Sequence, residues 1–407
     1  MPSPPHSYMP PRPCRIVLAM SGGVDSSVAA HLLTSAGHEV VGVFMRHGEE
    51  SATTCAIDGA DADNQPTSVS NPLLPIVQGR ADHKQGCCSA SDAEDARRVA
   101  DHFGIPFYAL DLQEDFRRII DYFVDDYLNA RTPNPCVQCN NWIKFGRLFD
   151  YAADIDAEYV ATGHYARVDR GGAAPDASDT TAVPQLLRGV DGGKDQSYVL
   201  FGIDSTLLPK MLLPVGGFNK NEIRQMAIEM GLGVANKKDS QEICFVTQGH
   251  HSDFVKARAG ADAPATSGNI VTTDGTIVGR HNGFEAFTVG QRKGLGVAMG
   301  EPYFVTEIDP ATRNVVIGKP DKLLKNGLIA ADTNWLIGSP PIGQRIKCAV
   351  QVRYNSPAKP ATVWRTEEDE LQVQFDVLEK GIAPGQAAVV YDGDRVLGGG
   401  WIRRAVN

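Results

Sequence analysis

The chain has 407 residues, with 49 Asp and Glu against 39 Lys and Arg, a formal net charge of −10. That length is too great for one ordinary core and predicts two or three domains. The acidic balance argues against a nonspecific nucleic-acid coat, although a local basic groove remains compatible with it. No apolar run approaches the roughly 20 residues that a membrane span needs, and 42% hydrophobic with 22% charged residues is an ordinary soluble composition.

Residues 1–14 begin MPSPPHSYMPPRP, proline-rich and without the apolar centre of a secretion signal, and predict a flexible tail and a cytoplasmic location. Arg15 to Met20 is a short aliphatic run that stops at Ser-Gly-Gly, and Val24 to Ala36 then shows helical apolar spacing: strand, loop, helix. His38 to Met45, Pro106 to Leu110 and Tyr159 to Thr162 read as further buried strands. Phe116, Ile119, Ile120, Phe123, Val124, Tyr127 and Leu128 form the apolar stripe of a helix. Strands alternating with helices predict an α/β domain with a mostly parallel sheet covered on both faces, spanning residues 15–210. Residues 47–86 read as an inserted surface loop and 171–181 as a hairpin tip. A small central domain is predicted over 211–280, with a helix from Lys220 to Gly231. Short alternating strands such as Asn314 to Gly318, Lys347 to Tyr354 and Gln372 to Val377 predict a C-terminal β-barrel over 281–407.

The Ser21-Gly22-Gly23-Val24-Asp25-Ser26 turn joins the first strand to the first helix. Glycines there let backbone N–H groups approach an anion, and the helix N-terminus adds its dipole. Ser21, Ser26 and Ser27 add hydroxyls, and Asp25 suits either holding the loop or Mg²⁺. No Gly-Lys-Ser or Gly-Lys-Thr follows, so this is not a Walker A loop. It resembles the PP-loop of N-type ATP pyrophosphatases, which attach AMP to a substrate oxygen and release pyrophosphate.

Eight cysteines in so long a chain are no secreted disulfide framework. Their settings are informative: RTPNPCVQCN from Arg131 to Asn140 and KDSQEICF from Lys238 to Phe245. With ATGHY at 161–165, KDQSY at 194–198, GQRKGLG at 290–296 and PGQ at 384–386, these segments resemble, in order, the tRNA-specific 2-thiouridylase family, from about Arg15 to Trp401. The resemblance implies an enzyme that uses ATP and Mg²⁺ to adenylate the wobble uridine C2 oxygen of tRNAs for Lys, Glu and Gln. Sulfur from a persulfide, supplied by a cysteine desulfurase or sulfur-relay protein, then replaces that oxygen.

By residue-by-residue match, the resemblance implies Cys244 as the persulfide carrier and Cys139 as the second catalytic thiol, at times paired with it as a disulfide. It implies ATP contacts from Ala19, Met20, Ser21, Gly22, Gly23, Val24, Asp25, Ser26, Met45 and Gly163. Asn134, Pro135 and Cys136 would line the pocket of a flipped uridine, and His164, Lys194, Asp195, Gln196, Arg353, Tyr354 and Gln386 would touch tRNA. Plainer readings stand beside these. Met45 equally suits core packing; Cys136 and Cys139 suit a zinc half-site that Cys87 and Cys88 complete. A [4Fe-4S] cluster on Cys136, Cys139 and Cys244 is a further reading, strengthened because many family members have aspartate where Cys136 stands. Cys14, Cys55 and Cys348 read as ordinary core or surface residues.

Overall fold

A computed structural model of the chain describes residues 9–10, 12–46, 90–170, 183–238, 243–246, 249–260 and 262–407. The predicted insertion, the hairpin tip, Cys55, Cys87 and Cys88 lie outside the described residues, as do most of the tail and residues 239–242.

The first unit is an α/β layer structure. Strands β1 (Arg15–Ala19), β2 (Glu39–Arg46), β3 (Phe107–Asp111), β4 (Tyr159–Ala161) and a later β7 (Met211–Leu212) form a parallel sheet of order β3-β2-β1-β4-β7. Alternate side chains of a strand point to opposite faces, and β1 divides its residues accordingly. Ile16 and Leu18 pack with helices α1 (Val24–Ser35), α2 (Ala90–Phe103) and α6 (Lys220–Glu229) on one face. Val17 and Ala19 pack with Leu148 and Ala152 of α5 (Leu148–Asp154) on the other. The predicted stripe forms α3 (Gln113–Leu128), whose Phe116, Ile119, Ile120 and Phe123 are almost fully buried. After α3, a short α4 (Pro135–Gln138) runs directly into a π-helical stretch, Cys139–Arg147, and then α5. Because β7 completes this sheet and α6 packs on α1, the α/β unit extends past residue 210, where the sequence pattern had suggested its end.

Helix α7 (His251–Ala259) precedes a second sheet of β8 (Gly268–Thr272), β9 (Ile277–His281), β10 (Phe304–Asp309) and β11 (Asn314–Gly318), ordered β10-β11-β8-β9. Ile270, Phe284, Phe287, Val305, Val315 and Ile317 fill its core. This sheet runs across the predicted boundary at 280/281. Strand signals alone do not reveal which sheet a strand joins, and β8 and β9 lack the regular alternation that marks a strand in the sequence.

The last unit is a closed six-stranded barrel of β12 (Leu324–Trp335), β13 (Ile346–Gln351), β14 (Lys359–Glu367), β15 (Glu370–Lys380), β16 (Ala387–Asp392) and β17 (Arg395–Val406), with β12 pairing to β17 to close it. Strand β15 is longer than the expected Gln372 to Val377 run, while β13 ends three residues before the expected Tyr354. The register shifts beside Gly327 in β12 and along the Gly398–Gly400 run of β17 break the alternation that marks a strand. A hairpin of β5 (Ala166–Asp169) and β6 (Gln185–Arg188) extends the barrel sheet, β6 meeting β17 at Leu187 and Arg395. Tyr198, Phe201 and Leu186 of the first unit share a core with Ala387, Val389, Tyr391 and Val396 of the barrel.

Candidate active site

The Ser21–Ser26 turn lies where β1 ends, with its neighbours at van der Waals limits. Gly22 adopts φ +69°, a left-handed conformation that strains any residue with a β-carbon, and a Cβ there would meet the Asp92 carbonyl oxygen at 2.1 Å. Ser26 Oγ donates to the Gly23 carbonyl at 3.2 Å and accepts from the Ser21 N–H at 3.3 Å, so the loop is folded on itself. Gly163, from the segment after β4, packs so closely that a Cβ would lie 2.8 Å from Ser26 N. Ala19, Met20, the loop, the first turn of α1 and Gly163 thus occupy one spot at the C-terminal end of a parallel sheet, where α/β folds bind ligands. Met45, one residue before the end of β2, lies at the same edge; the Met20 N–H donates to the Val43 carbonyl at 2.8 Å.

Asp25 is not left pointing into open space. The Tyr165 hydroxyl donates to its Oδ1 at 2.7 Å, and Lys220 Nζ lies 2.8 and 2.9 Å from its two oxygens. Gln196 in turn holds Tyr165, accepting from its N–H through the side chain at 2.9 Å and donating to its carbonyl at 2.8 Å. On the outer side of the loop, Lys237 Nζ donates to the Gly22 carbonyl at 3.0 Å and to Asp92 and Asp95, each at 2.7 Å. Tyr165, Lys220, Lys237 and Asp92 were not singled out by their sequence context. The one signal was proximity to motifs, Tyr165 inside ATGHY and Lys237 beside the Cys244 segment.

The cysteines gather on the neighbouring side. Cys139 opens the π-helical stretch, and π turns are frequent at functional sites because they redirect side chains within a helix. Cys139, Ile243, Cys244, Phe245 and Met45 all pack, half-buried, on the cluster of Phe116, Ile119, Ile120, Phe123 and Val124 that α3 provides. Phe245 meets Phe116 and Phe123 edge to face, with centroids 5.7 and 5.0 Å apart, which pins the Cys244 segment to α3. Cys136, by contrast, is exposed. Among the described residues, no three His, Cys, Asp or Glu side chains are grouped to hold a metal. The zinc alternative depends on Cys87 and Cys88, which lie outside the described residues.

Asn134 is buried and caps α4, its side chain accepting from Val137 N at 3.4 Å, with Pro135 at the first helical position. Beyond it lie Tyr198 and Tyr354, with ring centroids 6.2 Å apart. Burial pushes the Tyr354 phenol up, and the negative charge of Asp195 and of a Cys136 thiolate nearby adds to this.

Several residues expected to touch tRNA also make hydrogen bonds within the protein. His164 is buried; Lys144 can only donate, so the 3.5 Å contact makes Nε2 the acceptor and Nδ1 the donor to Thr162 Oγ1 at 2.7 Å. Desolvation, then the Lys144 charge, hold His164 neutral well below the usual imidazole range. Asp195 accepts from Arg188, Gly189 N, Ser197 N and Ser197 Oγ. Arg353 donates to the Val289 carbonyl at 2.8 Å, its guanidinium wedged against Gly290 and Gly381. Gln386 Nε2 donates to the Thr132 and Pro133 carbonyls, both at 3.1 Å, and the Thr132 N–H donates to the Pro384 carbonyl at 2.7 Å. The PGQ turn of the barrel is thereby fastened to the RTPNPC segment. Lys194 is half-buried, and Tyr354 keeps 41% of its surface exposed.

Comparison with known proteins follows the same division. A family described as tRNA methyl transferase HUP domain matches residues 14–71 and 62–248, a tRNA methyl transferase PRC-barrel domain matches 252–319, and an aminomethyltransferase beta-barrel domain matches 325–402. A tRNA-specific 2-thiouridylase MnmA of Rhodopirellula baltica is 61% identical over 401 residues, covering 97% of each chain. The chain belongs to the tRNA-specific 2-thiouridylase family. Its relative from Solibacter usitatus is 44% identical across 97% of this chain and all of its own. One from Carboxydothermus hydrogenoformans is 42% identical over 391 residues. Among the described residues, no helix is long and apolar enough to cross a membrane.

Proposed function

We propose that the protein is an ATP-dependent tRNA 2-thiouridylase acting on the wobble uridine of tRNAs for Lys, Glu and Gln. The observation that carries this reading is the common packing of Cys139 and Cys244 on one apolar cluster, which Met45 joins from the edge of the sheet where the glycine loop lies.

A carbonyl oxygen is a poor leaving group, and the loop addresses that. The uridine C2 oxygen attacks the α-phosphorus of ATP, the bond to the β-phosphate oxygen breaks, and pyrophosphate leaves against the amides of Gly22 to Ser26. Ala19, Met20, Met45 and Gly163 shape the nucleotide side of the same cleft. Mg²⁺, when bound, offsets the phosphate charge, while Tyr165 and Lys220 hold Asp25 at the loop.

The terminal sulfur of a Cys244 persulfide then attacks C2 and AMP departs. The Cys139 thiolate attacks the Cys244 sulfur, forming a Cys139–Cys244 disulfide and leaving the transferred sulfur on the base. A thiol reductant returns both cysteines to the reduced state. The flipped base is received beside Asn134, Pro135 and Cys136, with Lys194 and Tyr354 facing the RNA. Gln196, Asp195, Arg353, His164 and Gln386 support that surface through the internal bonds described above. A cysteine desulfurase or sulfur-relay protein in the cytoplasm loads Cys244. The scheme uses only the two thiols and does not call on a cluster. Full activity in anaerobically purified, iron-free protein is the expected check.

The test is incubation with ATP, Mg²⁺, a sulfide or persulfide source and unmodified tRNA, followed by mass analysis of the wobble nucleoside. Replacement of one oxygen by one sulfur is expected, and an unchanged nucleoside overturns the reading. The matched domain descriptions name methyl transfer instead. A pyrophosphate loop and two clustered thiols offer that reading nothing.

A further inference from the structure

The glycine loop is gripped from outside by groups that the reaction scheme leaves unused. Lys237 is mostly buried, and its ammonium donates at once to the Gly22 carbonyl, Asp92 and Asp95. Burial alone would lower its pKa, but hydrogen bonds and charge from the two aspartates outweigh this and leave it raised, so the group stays charged. Both aspartates belong to the first turns of α2, and the Asp92 backbone carbonyl fills the space where a Gly22 side chain would begin. Lys237 and the start of α2 therefore press on the same residue of the loop.

A trans peptide is planar, with its C=O and N–H pointing in opposite directions. No cis bond occurs among the described residues. A Gly22 carbonyl tied outward to Lys237 therefore turns the Gly23 N–H inward, to the side from which α1 presents its first unpaired amides. An ammonium on that carbonyl also polarises the peptide and strengthens the N–H as a donor.

We propose that Lys237 is a positioning residue for adenylation: braced by Asp92 and Asp95, it sets the plane of the Gly22–Gly23 peptide so that the Gly23 N–H meets the departing pyrophosphate. This rests on the ATP-dependent reading above.

The experiment uses the full-length protein and measures tRNA-dependent pyrophosphate release against ATP concentration for the parent, K237M and K237R. Melting temperature and persulfide loading of Cys244 are followed alongside. K237M is expected to lose about tenfold or more in kcat/KM for ATP, the scale of a lost hydrogen bond to a charged group, with persulfide loading unchanged. K237R, which can still reach the carbonyl with a charged donor, is expected to recover most of the loss. A K237M protein that melts lower but keeps the parent's kcat/KM overturns the proposal, since a merely structural ion pair behaves that way. If K237M does not fold, D95N decides by the same readouts: it leaves Lys237 and weakens its brace, and about a threefold loss in kcat/KM is expected, with no loss overturning the proposal. A parent that releases no pyrophosphate overturns the functional reading and this proposal together; a parent that releases it while the variants are unaffected overturns this proposal alone.

Discussion

Replacing Gly163 with alanine tests the loop by pressure alone. The new methyl would lie 2.8 Å from Ser26 N and 2.9 Å from the Asp25 carbonyl carbon, about 0.6 Å inside the 3.4 Å at which ordinary contact begins. Gly163 is not in the left-handed region, so no backbone strain clouds the result. Overpacking of this kind costs about 1–3 kcal/mol, part of it relieved by moving the Asp25–Ser26 turn. A misplacement of about 1 Å can cost roughly a hundredfold in rate, so a shift of about half that predicts a fall of about tenfold. The assay is tRNA-dependent pyrophosphate release at saturating ATP, with a melting temperature only a few degrees lower. Gly192, with nothing within 4 Å of its would-be Cβ, supplies the control: G192A should match the parent. A folded G163A protein within about twofold of the parent rate would refute the argument that this turn carries the phosphates.

Three further outcomes are expected. C244S should abolish thiolation while pyrophosphate release continues, and equal loss of both would overturn the division between adenylation and sulfur delivery. Q386A removes donors to two backbone carbonyls of the RTPNPC segment, each hydrogen bond worth about 1 kcal/mol. It should raise the KM for tRNA several-fold and leave persulfide loading of Cys244 unchanged; an unchanged KM counts against the docking role. His164 is held neutral in the fold with its pKa lowered, whereas in the unfolded chain it protonates near the usual 6.5. The unfolded state therefore binds more protons as pH falls below that value, and stability should drop by up to about 1.4 kcal/mol per pH unit until the folded value is reached. Denaturant melts of the parent and H164Q between pH 7 and 5 check this: the variant should show a shallower slope, with the remainder coming from His31, His38, His251 and His281, whose pKa values burial also lowers.

Legibility differed by the range over which each signal acts. Val24 to Ala36 and the α3 stripe could be read because helical spacing is local: α1 ends one residue short of Ala36, and α3 starts three residues before Phe116 and ends at Leu128. The Gly22–Gly23 turn was legible because glycine there has a backbone reason. Lys220 and Lys237 were not, since a lysine's partner is set by tertiary packing, and Asp25 lies 195 residues from Lys220. Asp195, Arg353 and Gln386 stood out as polar residues in matched motifs, whereas the internal hydrogen bonds they make, set by tertiary packing, could not be read from those motifs. The sheet membership of β7 and β8 was equally hidden, because strands of two and five residues do not name their neighbours.

The core shared by Leu186, Tyr198 and Phe201 with Val389, Tyr391 and Val396 bears on how the chain is made as well as how it stands. Roughly 200 residues separate its two halves, which at about 5–20 residues per second is some 10–40 seconds of translation. Through that interval the early half presents an apolar face with no cover, including the β6 edge that β17 later meets. The emerging polypeptide thus has a built-in waiting period during which chaperone capture and aggregation compete, and premature termination even a few residues before Val389 would release a product whose first domain has an open side.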